Sequence, residues 1–144
     1  MSEFTDPVLG KLTWSADDRA WQAEVAGEDA VIRFLIAGKP EPEPQLLAHA
    51  RDIAQSLPDF LRLISEFLEE QAQLVSQQKG WLLGDGPAQS AADEIRQLAI
   101  DTIHLPWPDR PNDGMIYFTG PADELRLWRC DYIDRKPTSL GCDT

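Results

Sequence analysis

"QLLAHARDIAQSLPDFLRLISEFLEEQAQLVSQQK", Gln45 to Lys79, is the longest stretch of the chain through which one period runs unbroken. Its apolar residues fall at Leu46 and Leu47, Ala50, Ile53 and Ala54, Leu57, Phe60 and Leu61, Ile64, Phe67 and Leu68, and Leu74 and Val75. Steps of three and four set all of them on one stripe of an α-helix. The opposite face, with Arg51, Asp52, Gln55, Arg62, Glu66, Glu69 and Gln73, is assigned to water. Pro58 interrupts the segment without shifting its phase. Either one long helix kinks there, giving up a backbone hydrogen bond and relieving a clash with the carbonyl of Ala54. Or a second helix starts near Ser56, with Ser56 as cap and Pro58 and Asp59 in its first turn. Both readings pack the two halves on the same surface.

Toward the N-terminus, "GKPEPEPQ" places Pro40, Pro42 and Pro44 at alternate positions, which neither a helix nor a ladder tolerates. An extended, stiff spacer is expected. Before it, "AVIRFLIAG" puts Ile32, Phe34 and Ile36 on one side of a strand, while Val31 and Leu35 bracket Arg33 on the other. The uniformly apolar side should meet the core. "LGKLTWSADDRAWQAEVAG" reads as two strands about the turn "SADDR", with Trp14 and Trp21 close together on neighbouring strands. Residues 1–38 therefore form a small antiparallel meander.

Toward the C-terminus, "KGWLLGDGPAQSAAD" is a loop in which Ser90 caps a short helical turn. "RQLAIDTIHLPW" is a strand with Leu98, Ile100, Thr102 and His104 on one side. Ala99, Asp101, Ile103, Leu105 and Trp107 fall on the other. "PDRPNDG" is a turn whose Asn112, Asp113 and Gly114 suit positive backbone angles. "GMIYFTGPADELRLWRCDYID" follows as two strands joined by a tight turn at "GPADE". Alternation sends Arg126, Trp128, Cys130 and Tyr132 to one side, the wall of a core. Strands thus occupy residues 97–134, and the tail 135–144, without periodicity, is expected to be mobile in part. The fold expected is α+β in a single domain: an antiparallel meander, a helical segment over 45–79 packed on the sheet, then a second meander.

Composition narrows the function. Thirteen basic against twenty-five acidic residues give a formal charge of -12. Such a field repels phosphate backbones and anionic lipid, which disfavours nucleic acid and membrane surfaces and favours a basic protein partner. The plainer reading is that the acidity maintains solubility. "MSEFTDPVLGKL" has no basic start followed by an apolar run, and no uninterrupted apolar stretch reaches the length of a membrane span. Cytoplasm is the expected location, with Cys130 and Cys142 as free thiols in a reducing compartment.

No motif for catalysis, phosphate or metal stands out, and no cofactor is expected. The histidines, His49 and His104, lie in no metal-ligand spacing with each other or the cysteines. His104 with Asp101 or Asp131 is the one conceivable acid–base pair, the basis of an alternative reading as a small hydrolase-like enzyme. Glu66, Glu69 and Glu70 read as a solvated acidic face. Cys130 reads as a small apolar side chain. Trp107, Asp109, Asp113, Tyr117, Trp128, Arg129 and Asp131 are the residues proposed to meet a partner, aromatics and arginine being enriched where binding energy concentrates.

The opening D-x-x-x-G-x-L of "DPVLGKL" and the W-x-A-x-V of "WQAEV" precede a strand, a long helix and a closing meander. In that order they resemble a group of small uncharacterised bacterial domains, some of which look like immunity proteins of polymorphic toxin systems. The resemblance implies no catalytic residues. With the strong acidity, the aromatic-rich edges and the missing catalytic motifs, the leading expectation is a cytosolic interaction protein, an immunity protein that masks a basic toxin. A scaffold or regulatory subunit that self-associates, for instance as a homodimer, is the remaining alternative.

Overall fold

The computed structural model describes residues 3–27, 30–77, 88–119 and 127–143. Four strands come first: β1 (Glu3–Asp6), β2 (Gly10–Ser15), β3 (Ala20–Ala26) and β4 (Val31–Ile36). Helices α1 (Pro44–Gln55), α2 (Leu57–Gln77) and α3 (Ala88–Arg96) follow. The chain then returns to strands β5 (Ala99–Leu105), β6 (Gly114–Thr119), β7 (Leu127–Ile133) and β8 (Lys136–Asp143). The fold is α+β. The two meanders form one eight-stranded sheet in sequential order, joined where β4 pairs with β5. That pair is parallel, and the other neighbouring pairs are antiparallel. A parallel pair needs a long crossover, and the three helices supply it.

One side of the sheet forms the core. Ile32, Phe34 and Ile36 of β4 are buried there, as their spacing requires, beside Ile103 and Leu105 of β5, Ile116 and Phe118 of β6, and Trp128, Cys130 and Tyr132 of β7. The helical stripe meets them with Leu46, Ala50, Ile53, Leu57, Phe60, Ile64, Phe67 and Leu68. Trp14 pairs with Trp21 across β2 and β3, their rings 5.7 Å apart and edge-on.

Pro58 separates two helices. Ser56 ends α1, its hydroxyl donating to the carbonyl of Asp52 at 2.7 Å. It does not cap α2 in that arrangement, although its carbonyl accepts the Phe60 N–H at 3.1 Å. Pro58, second in α2, sits where a missing N–H costs nothing.

Several expectations need correction, that for Trp128 being taken up below. Ile100 does not share a side with Thr102 and His104: a register shift between Ile100 and Thr102 pairs Ile100 with Phe118 and packs it against the core. The tail is not loose: β8 pairs with β7 from Ile133↔Lys136 to Leu127↔Asp143. An edge strand gains ladder hydrogen bonds without an apolar face, so periodicity could not reveal it. Residues 38–45 do not run straight, since the Glu43 N–H returns to the Ala37 carbonyl at 2.9 Å and Gly38 adopts φ +143°. Ser90 lies inside α3, not before it. Asn112, Asp113 and Gly114 do not hold positive angles, which among the described non-glycine residues fall on Arg19, Asp134 and Arg135. Gly114 is required for closeness: a Cβ there would stand 2.6 Å from the His104 carbonyl oxygen. Finally, Arg51 does not simply face water, as its partner below shows. The expected turn at "GPADE", most of the expected loop "KGWLLGDGPAQSAAD" and Arg126 lie outside the described residues.

Candidate functional site

The conspicuous "DPVLG" stretch turns out to be structural. Asp6, 2 % exposed, accepts the backbone N–H groups of Val8 and Leu9 through Oδ2, both at 2.9 Å. Its Oδ1 accepts Nε of Arg51 at 2.7 Å and also Nη2. Gly10 then turns the chain at φ +78° and Leu12 enters the core. Burial by itself would raise the Asp6 pKa, but the Arg51 hydrogen bonds and the two amides outweigh it and hold it below the ordinary value. A buried carboxylate fully occupied in this way fastens β1 to α1 and is not free for chemistry.

The other side of the sheet carries the candidate site. Among the described residues the helices pack on the core side, and the register gives the opposite side two adjacent rows. One row runs Leu35, His104, Met115, Asp131 across β4 to β7. The second runs Arg33, Thr102, Tyr117, Arg129. Cross-strand neighbours in such rows are in side-chain contact range. Arg33 Nε donates to Thr102 Oγ1 at 3.2 Å, and that hydroxyl donates to Asp101 Oδ2 at 2.8 Å. Asp131 accepts the Ser139 hydroxyl at 3.1 Å and lies 3.8 Å from Arg129 Nε. At the centre, Leu35 and Thr102 are buried and His104, Met115 and Tyr117 are half-buried. Trp107 follows in the β5–β6 connection, with the Arg110 guanidinium stacked over its ring at 4.6 Å.

Of the seven residues expected to meet a partner, Tyr117, Arg129 and Asp131 share this face, and Trp107, Asp109 and Asp113 lie in the adjoining β5–β6 connection. Trp128 does not join them. It is 1 % exposed on the core side, its indole N–H donating to Glu94 Oε2 at 2.7 Å. Sequence reading missed Leu35, Arg33, Thr102 and Met115 as companions. Arg33 and Leu35 arrive only through the parallel β4–β5 pair, Thr102 through the antiparallel β5–β6 pair, and Met115 stands two residues before Tyr117 on β6 itself.

The same geometry separates the expected acid–base pair. Asp131 stands two strands from His104 in its row, about 10 Å away at ordinary strand spacing. Asp101 is taken by Thr102. His104 has its pKa lowered by burial, opposed by the charge of Asp18 on the β2–β3 turn and by neither expected partner. Cys130 is no nucleophile at neutral pH, since burial and then the charge of Asp131 push its thiol up to about 12. It is a free, buried thiol. Among the described residues, no group of three His, Cys, Asp or Glu side chains converges as a metal site, and no helix is long and apolar enough to cross a membrane.

A cleft of about 390 Å³ opens elsewhere, between α2, the start of β4 and the start of β5. Ile32, Leu61, Ile64, Leu68 and Ile100 line it, and its charged lining is the Glu69–Arg96 pair, already joined at 3.0 Å. Among the described residues, no histidine or cysteine lines it. Comparison of the chain with protein-family models, curated proteins and solved structures finds no match in any of the three.

Proposed function

We propose that the chain is a non-catalytic protein-binding domain that engages a basic protein partner through the helix-free side of its sheet, as an immunity protein masks a toxin. The observation that carries this reading is the pair of rows across β4 to β7. They join half-buried Met115, Tyr117 and His104 to charged ends and to Trp107. An apolar and aromatic centre with a polar rim is the anatomy of a protein interface. The charge of -12 supplies long-range attraction for a cationic partner. That attraction comes from outside the rows, which carry Arg33 and Arg129 against Asp131, with Glu24 facing Arg33 from the adjoining β3; Asp59, Glu66, Glu69 and Glu70 stand on α2. The contact surface and the source of steering are thus different parts of the molecule.

The test is affinity capture from native lysate with the wild-type chain and with Tyr117→Ala and Arg129→Ala, read by mass spectrometry and repeated with added salt. A stoichiometric basic protein, captured by the wild type, weakened by salt and lost from both variants, is the expected result. A wild-type chain that retains no stoichiometric partner, or variants that retain it fully, would overturn the proposal.

A further inference from the structure

His49 lies in the middle of α1 and is 2 % exposed, yet among the described residues neither its Nδ1 nor its Nε2 has a hydrogen-bond partner. Its ring stacks on Tyr132 of β7, centroids 5.7 Å apart and planes 29° from parallel. Phe60 of α2 meets the same tyrosine edge-on at 5.6 Å. Close by, three elements are tied together. Arg135, in the β7–β8 turn, donates from Nη2 to Asp52 Oδ2 of α1 at 3.1 Å and from Nε to Asn112 Oδ1 at 2.8 Å. The Arg135 N–H reaches the Asn112 carbonyl at 2.9 Å, and the Asp134 N–H reaches Asp113 Oδ1 at 2.8 Å. Asp113 also accepts Arg110 Nε at 2.7 Å. Both turn residues sit in the left-handed region, at φ 52° and 63°, so the turn is held in a conformation that ordinary side chains resist.

We propose that His49 and the ties among Asp52, Asn112, Asp113 and Arg135 form an acid-released latch, closed over a neutral imidazole and opened when that ring takes up a proton. The neutral ring already leaves one donor and one acceptor unmet. The cation would leave two donors and a charge unmet in the same buried position, which is far more costly. The charged groups facing it come from three elements: Arg135 from the β7–β8 turn, Asp113 from the β5–β6 connection, and Asp52 from α1 itself. Burial, then the charge of Arg135, depresses the His49 pKa from 6.5 to about 4, and the two carboxylates oppose this without reversing it.

The sign follows from the depressed value. An open form, in which His49 meets water, titrates near 6.5, while the closed form resists protonation down to about 4. The latch is therefore fully closed above 6.5 and loosens as pH falls through that window. Its opening constant grows about tenfold per pH unit, up to roughly 300-fold in all.

Amide hydrogen exchange on the full chain tests this, from pH 7 to pH 5 and corrected for intrinsic exchange rates. The Asp134 and Arg135 amides, both donors in the latch, should lose protection about tenfold per unit below pH 6.5 in the wild type. In His49→Phe, which keeps the stacked ring without a titrating nitrogen, their protection should stay flat. An equal loss in the variant, a flat wild type, or a loss shared equally by a core amide such as Phe34 would overturn the latch. Should the variant not fold, the imidazole resonances of wild-type His49 decide: a midpoint far below 6.5 supports the proposal, and one near 6.5 refutes it.

Discussion

Helix α1 grips the sheet at both ends, and the two grips are built on opposite terms. Toward β1, Arg51 enters a carboxylate whose remaining acceptor capacity is met by two backbone amides. Toward β7, only two residues earlier in the chain, His49 brings a buried ring with both nitrogens unmet. In a flat sheet the two anchor points would lie about 30 Å apart; here twist and coiling bring them within reach of neighbouring side chains on one helix. The contrast teaches that burial of a polar group says little by itself. The count of satisfied hydrogen bonds decides whether the group is a staple or a weak point.

Breaking the satisfied grip should cost most. Arg51→Ala leaves the Asp6 charge buried without its cation and should lower stability by about 3 kcal/mol in urea unfolding. Because Arg51 depresses the Asp6 pKa, that contribution is present above the ordinary carboxylate value of 3.8 and is lost as pH falls below it. The gap between wild type and variant, measured at pH 7 and again as pH falls below 3.8, should therefore narrow. Asp6→Asn, which retains an acceptor for the two amides but no charge, should cost about 2 kcal/mol.

At the unsatisfied grip the sign reverses. His49→Phe should raise stability at pH 7 by about 1 kcal/mol, because it removes two unmet polar atoms and keeps a flat ring against Tyr132. A destabilised variant in the same unfolding experiment would show that the imidazole has an unrecognised partner. Smallest of all, Asp52→Ala removes a tie to Arg135 that is about half exposed at both ends, and should change stability by no more than about 0.5 kcal/mol. A cost comparable to that of Arg51→Ala would erase the distinction between the two grips of α1.

Much of this architecture could be read from residue order because local patterns enforce it. The three-four stripe from Leu46 to Val75 named the helical face, and its unbroken phase across Pro58 foretold that both helices would share one core. Alternation in "VIRFLI" and "LWRCDYI" assigned Phe34 and Trp128 to the core side. What escaped was non-local or polar. Asp6 and Arg51 are 45 residues apart, and each by itself reads as a surface charge. β8 carries no apolar stripe, because an edge strand is held by backbone bonding to one neighbour. Arg33 and Leu35, the β4 members of the rows, join through a parallel register that no short-range pattern encodes. His49 was the nearest miss: it lies three residues after Leu46 and four before Ile53, in phase with the stripe, and that spacing was the available signal of its burial.

The single parallel seam also bears on how the chain assembles. Within each meander, strands meet partners a few residues away, so their loops close quickly and at little entropic cost. Arg33 reaches Thr102 across 69 residues, so the zippering of β4 to β5 concentrates the slow, long-range search in one place. Substitutions along that seam are expected to slow refolding, while equally disruptive ones in the outer hairpins should chiefly hasten unfolding.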